Sequence, residues 1–85
     1  MTTQQQNTVN QIENLISRMN SNITFGTLNL RKGHIVMTAI RKRTNAVADI
    51  TEIFCDIDIN TKGNIVKGKW NKLQPIEKTT DYFHL

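Results

Sequence analysis

The stretch from Ile53 to Trp70 constrains the fold of this chain more than any other part of it. Cys55, Ile57 and Ile59 interleave with Asp56 and Asp58, and beyond Lys62-Gly63, Val66, Gly68 and Trp70 interleave with Lys67 and Lys69. Alternation with period two marks a strand with one face in a core. A two-residue loop ending in Gly suits the positive φ of the primed hairpin turns. A turn at Lys62-Gly63 then sets Ile59 opposite Val66, Ile57 opposite Gly68 and Cys55 opposite Trp70. On the other face it sets Asp58 against Lys67 and Asp56 against Lys69, two opposite-charge pairs worth roughly 0.2–1 kcal/mol each. A one-residue slip would oppose charged and apolar side chains, so the pattern carries its own register.

A second Lys-Gly pair, Lys32-Gly33, lies upstream. Aligned on the two pairs, Ile23–Ile40 overlays Ile53–Trp70 with five identities in eighteen positions, at 23/53, 32/62, 33/63, 35/65 and 36/66. Duplication and two hairpins obeying the same physics explain this equally well. A two-residue turn at Lys32-Gly33 puts Leu28, Leu30, Ile35 and Met37 on one face. It puts Ile23, Phe25, Val36 and Ile40 on the other, among Thr27, Asn29 and Thr38. Both faces of this hairpin are therefore apolar, and a single helix covers only one. The other needs the C-terminal tail, with Tyr82, Phe83 and Leu85, or a second copy of the chain.

The helix is legible from its own periodicity. Thr8 and Gln11 fit a capping box, and Val9, Ile12, Ile16 and Met19 follow at spacings of three and four. Asn20-Ser21-Asn22 stops the run. This predicts a helix over about residues 8–20 behind a disordered polar leader, residues 1–7. Arg41-Lys42-Arg43-Thr44-Asn45 reads as a basic turn between the hairpins. Residues 46–52 suit helix or strand, and strand is chosen, with a bulge near Thr51. Pro75 ends the fourth strand, leaving a turn and a packed tail over residues 74–85. The expected fold is one α+β domain over residues 8–85, an N-terminal amphipathic helix packed on a four-stranded antiparallel meander.

Eighty-five residues suffice for one such domain. A chain this short buries only roughly 60–65% of its unfolded surface, so cross-links or partners often supplement the core. Cys55 is the only cysteine, which excludes an internal disulfide, and with His34 and His84 far apart it offers no four-ligand zinc set. No metal or cofactor is expected. The polar start lacks a secretory signal, and no run approaches the ~20 apolar residues of a membrane span. With a lone cysteine this predicts a cytoplasmic protein in a reducing compartment.

Catalysis finds little support. Cys55 falls on the apolar face, where an inert thiol is the usual occupant. Asp56 and Asp58 face lysines, which keeps them ionised. The four glycines sit in or beside strands and turns, without the spacing of a phosphate loop, and His34 reads as an exposed side chain after a turn. No enzyme activity is expected.

The surface favours binding. The net charge is +4, and from Arg31 to Arg43 there are five cations and no acid. Arg31, Lys32 and Lys62 belong to hairpin tips at one end of the sheet, and Arg41, Lys42 and Arg43 to the other end. These six are the candidate contacts to nucleic acid or an acidic partner, through phosphates and without sequence readout. Phe54 alone is expected to project from the charged face, too few rings for a base-stacking platform. Ile23, Phe25, Val36, Ile40, Tyr82 and Phe83 are the candidate protein-association surface. Strand one, free of charge, is the edge best suited to strand addition. Many unrelated small proteins share a helix on a four-stranded meander, among them phage-encoded inhibitors and nucleic-acid-binding accessory proteins, and that likeness fixes no residues. The leading expectation is a non-catalytic binding protein, with a protein partner and homodimer formation, acting as an accessory subunit or viral-type inhibitor of a larger assembly. Direct, weakly specific nucleic-acid binding is the alternative.

Overall fold

The computed structural model describes the backbone of residues 1–82 and the side chains of residues 1–80. One helix, α1 (Thr3–Met19), packs on an antiparallel sheet of five strands, β1 (Thr24–Asn29), β2 (Ile35–Thr44), β3 (Ala48–Ile59), β4 (Ile65–Trp70) and β5 (Glu77–Tyr82). The class is α+β, as the sequence predicts, with one strand more than the expected four.

The helix begins earlier than the periodicity suggests. Thr2 is the N-cap: its Oγ1 accepts from the Gln5 amide at 3.1 Å, and Gln5 Oε1 accepts from the Thr2 amide at 2.8 Å. The capping box is therefore Thr2–Gln5, and residues 3–7 are helical where the polar composition suggests a disordered leader. The reason lies in tertiary contacts. Gln5 is buried, and its Nε2 donates to Gly33 O at 2.8 Å and Ile59 O at 3.3 Å. One amide thus ties the helix start to both hairpins and leaves none of its own polar groups unmet. Thr8, freed from capping, donates from Oγ1 to Gly63 O at 2.6 Å. The helix ends where Asn20-Ser21-Asn22 predicts, with Asn20 as C-cap and Asn22 at φ 62°.

The second hairpin keeps the expected register over most of its length: Asp58 faces Lys67, Ile57 faces Gly68, Asp56 faces Lys69 and Cys55 faces Trp70. At the tip a five-residue loop, Asn60–Asn64, replaces the expected two-residue turn and pairs Ile59 with Ile65, and a bulge at Val66 restores the expected register from Asp58–Lys67 onward. Among the described residues the opposite charges face each other across the ladder without closing into ion pairs. Asp58 instead meets His34, whose Nδ1 lies 2.8 Å from Oδ1.

The first hairpin differs by one residue. Its loop runs Leu30–His34, with Leu30 N donating to His34 O, and Asn60 N donates to Asn64 O at the equivalent place in the second hairpin. Lys32 and Gly33 both take positive φ, 63° and 77°. Five loop residues in place of two, with no bulge behind them to restore the offset, pair Asn29 with Ile35 and Leu28 with Val36. That slip turns β1 over relative to β2. Ile23 and Phe25, expected on the uncovered face, pack against the core beside α1. Leu28 shares the outer face with Val36 and Ile40.

The core lies between α1 and one sheet face: Val9, Ile12 and Ile16 from the helix, Ile35, Met37 and Ala39 from β2, and Phe54, Cys55, Ile57 and Ile59 from β3. Of residues 46–52, expected as strand, 48–52 are strand, while 46 and 47 belong to the turn that the Asn45 side chain closes. The β3 bulge falls at Phe54, not near Thr51: Ala39 pairs with Cys55 while Ile40 pairs with Ile53. Phe54 is thereby turned inward beside Cys55, and its expected place on the charged face is corrected. The tail is also more regular than expected. Its residues 77–82 form β5 along β3 from Ile53 to Ala48, end to end with β4. This places β5 at the sheet edge opposite β1, so residues 77–82 do not cover the first hairpin. Phe83 and Leu85 lie outside the described residues.

Candidate association surface

At the helical rise per residue, the 17 residues of α1 extend over little more than half of the 45 Å long axis of the molecule. The helix covers the hairpin end of one sheet face, and no described element lies over the other face. That open face carries Leu28, Val36 and Ile40 in the first hairpin and Ile53 in β3, where Ile40 and Ile53 form a cross-strand pair. Leu28 is 66% exposed. Leu30, Val36, Ile57 and Gly68, with Asp56, Asp58 and Lys67, line a shallow groove of about 250 Å³. The arrangement is apolar toward β1 and mixed in charge toward β4, which suits contact with a protein surface more than with a phosphate backbone.

The expected association residues are therefore split. Val36 and Ile40 stand on the open face, Ile23 and Phe25 belong to the helix side, and Tyr82 ends β5 with its backbone paired to Ala48. Phe83 lies outside the described residues. Leu28, Leu30 and Ile53 are additions. Only the loop length and the Phe54 bulge decide their face, and neither has a clear signature in the sequence.

The six candidate cations are split as well. Arg31, Lys32 and Lys62 gather at one end of the molecule, all exposed, where α1 also begins: Thr2 Oγ1 donates to Thr61 O at 2.8 Å. Arg41, Lys42 and Arg43 lie within β2 instead of a turn. Alternation sends Lys42 to the open face and the two arginines to the helix side. There both meet Glu52, which is 2% exposed. Arg41 Nη2 lies 3.0 Å and Arg43 Nε 2.6 Å from Oε1, and Arg41 stacks 5.6 Å above the Phe54 ring. These two arginines therefore hold a buried carboxylate in place, Arg41 largely enclosed and Arg43 half exposed. The signal is Asn45, whose Oδ1 accepts from the Val47 and Ala48 amides, closing a tight reversal that brings Arg41 opposite Glu52.

Glu52→Ala removes the acid that two cations share, of which Arg41 is 21% and Arg43 50% exposed. Because both retain some water, the expected loss is about 2 kcal/mol, below the roughly 3–5 kcal/mol of a fully buried pair. Urea unfolding measures it; a loss under about 0.5 kcal/mol would show the cluster to be as weak as an ordinary surface pair.

Cys55 is fully buried, and burial pushes its thiol up to about 12, so it stays protonated at neutral pH and is no nucleophile there. Among the described residues no three His, Cys, Asp or Glu side chains converge on a common point, and no helix is long and apolar enough to cross a membrane. No protein-family model, no curated protein and no solved structure matches the chain.

Proposed function

We propose that this chain is a non-catalytic binding protein that acts by protein–protein association through the open face of its sheet, as an accessory or inhibitory subunit of a larger assembly. The observation that carries the reading is the exposed pair Leu28 and Leu30 beside half-buried Val36, on a face that no described element covers and next to groups of both charges. An apolar patch rimmed by polar groups is the surface pattern of a docking site. The test uses wild type, Val36→Asp and Lys62→Glu as baits in extracts of the native source. A protein retained in stoichiometric amount by wild type and Lys62→Glu, and lost with Val36→Asp, supports the reading. Retention indifferent to Val36→Asp removes it.

A second reading rests on the basic end. Arg31, Lys32 and Lys62 stand together there, and the start of α1 adds its positive pole. Three phosphate contacts would give a salt slope near −2.7 for duplex DNA, a loss of roughly 40-fold between about 50 and 200 mM salt. Absence of any DNA or RNA shift at about 50 mM salt removes this reading.

A further inference from the structure

Among the described residues the sheet has four open edge segments: β1 and, beyond it, Arg41–Thr44 of β2 on one side, and β4 and β5 end to end on the other. An open edge offers a row of unpaired amides and carbonyls, and its natural complement is another strand. These edges differ in what they tolerate, and the β2 segment carries three consecutive cations, Arg41, Lys42 and Arg43. If β4 pairs with its own copy about Gly68, Lys67 faces the partner's Lys69. If β5 pairs about Lys78, that lysine faces the partner's Lys78. Like charges directly opposite destabilise a strand pair. β1, with the sequence Thr24-Phe25-Gly26-Thr27-Leu28-Asn29, carries no charge.

We infer that β1 pairs antiparallel with β1 of a second copy of this chain, about a two-fold axis at Thr27. The inference rests on the association reading above and names the partner for the part of that surface nearest the edge. In this register Thr27 faces the partner's Thr27, Phe25 the partner's Asn29, and Leu28 the partner's Gly26. All of these pairs are neutral. Among the described residues of the strands Leu28 is the most exposed apolar side chain, and it lies over a glycine that leaves room for it, twice by symmetry. Direction follows from charge too. Arg31 and Lys32 follow β1 after a single residue, Leu30, so a parallel pair would bring both basic tips together. The antiparallel pair separates them by the length of the strand, roughly 20 Å.

Sedimentation of the full chain at high micromolar concentration is expected to give twice the chain mass. Thr27 is exposed on β1, so Thr27→Lys leaves the fold intact by circular dichroism. Set against itself across the axis, it weakens the dimer by roughly a hundredfold. Thr27→Glu does the same alone, and mixing the two variants restores a dimer. In wild type, amide exchange in β1 slows as concentration rises, a readout that needs no variant to fold. A wild-type monomer, a dimer indifferent to Thr27→Lys but lost in Val36→Asp, or a mixture that stays monomeric overturns the edge pairing. A monomer would leave the open-face reading standing, because its own test is retention by the Val36→Asp bait.

Discussion

Replacing Phe54 with alanine is expected to cost about 4 kcal/mol of unfolding free energy. Phe54 is the largest of the fully buried side chains, at 0% exposed. It enters the core through the β3 bulge, beside Cys55 and under the Arg41 guanidinium. Truncation removes its transfer free energy and leaves a cavity that neighbours on a pleated strand cannot easily fill. Phe54→Leu, which keeps most of the volume, should cost less than about 2 kcal/mol. Equilibrium urea unfolding separates the two. A Phe54→Ala loss under about 1 kcal/mol would place the ring on the surface, on the charged face that simple alternation assigns to it.

The second large effect is expected at Gly68, where alanine should cost about 3 kcal/mol. Gly68 sits at φ 105°, and a Cβ there would run into the Asp56 carbonyl oxygen and lie 2.8 Å from Ile57 Cα. Both obstacles are backbone of the neighbouring strand, so relief requires moving β3 itself. Gly26→Ala is the matched control. Its Cβ meets only Thr38 Oγ1 at 3.4 Å, and its φ is ordinary. That change should fall within about 1 kcal/mol of wild type in either direction. Thermal unfolding should show a drop of roughly 15 °C for Gly68→Ala. Equal melting temperatures for the two variants would mean that β4 does not approach β3 as closely as described.

The candidate site is legible in the sequence where one local pattern governs it. Arg31, Lys32 and Lys62 come together because two adjacent antiparallel hairpins point their tips the same way. The open apolar face follows as a need, since one helix cannot cover both faces of the first hairpin. Its membership does not follow. Leu28 and Phe25 exchange sides because the five-residue loop is not followed by a bulge as it is in the second hairpin, and Lys32-Gly33 is compatible with either outcome. The Asp/Lys ladder is right in register and wrong in partnership. Asp58 takes His34, the last loop residue of the neighbouring hairpin. The arginines of β2 look free in the sequence because Glu52 lies on another strand, whose offset depends on the Asn45 turn and the bulge at Phe54.

By itself, then, the sequence determined the elements whose physics is local. The period of the apolar residues set the type of α1 and of the first four strands. The asparagines after Met19 ended the helix, and the alternation around Lys62-Gly63 set the register of β3 against β4. Only the tertiary structure decided which side each first-hairpin residue faces, where β3 bulges, and where α1 begins. It also decided that the tail becomes a strand. These outcomes turn on one-residue offsets and on partners far along the chain, such as Gln5 reaching Gly33 and Ile59. In a sheet of period two, one residue is the difference between core and surface.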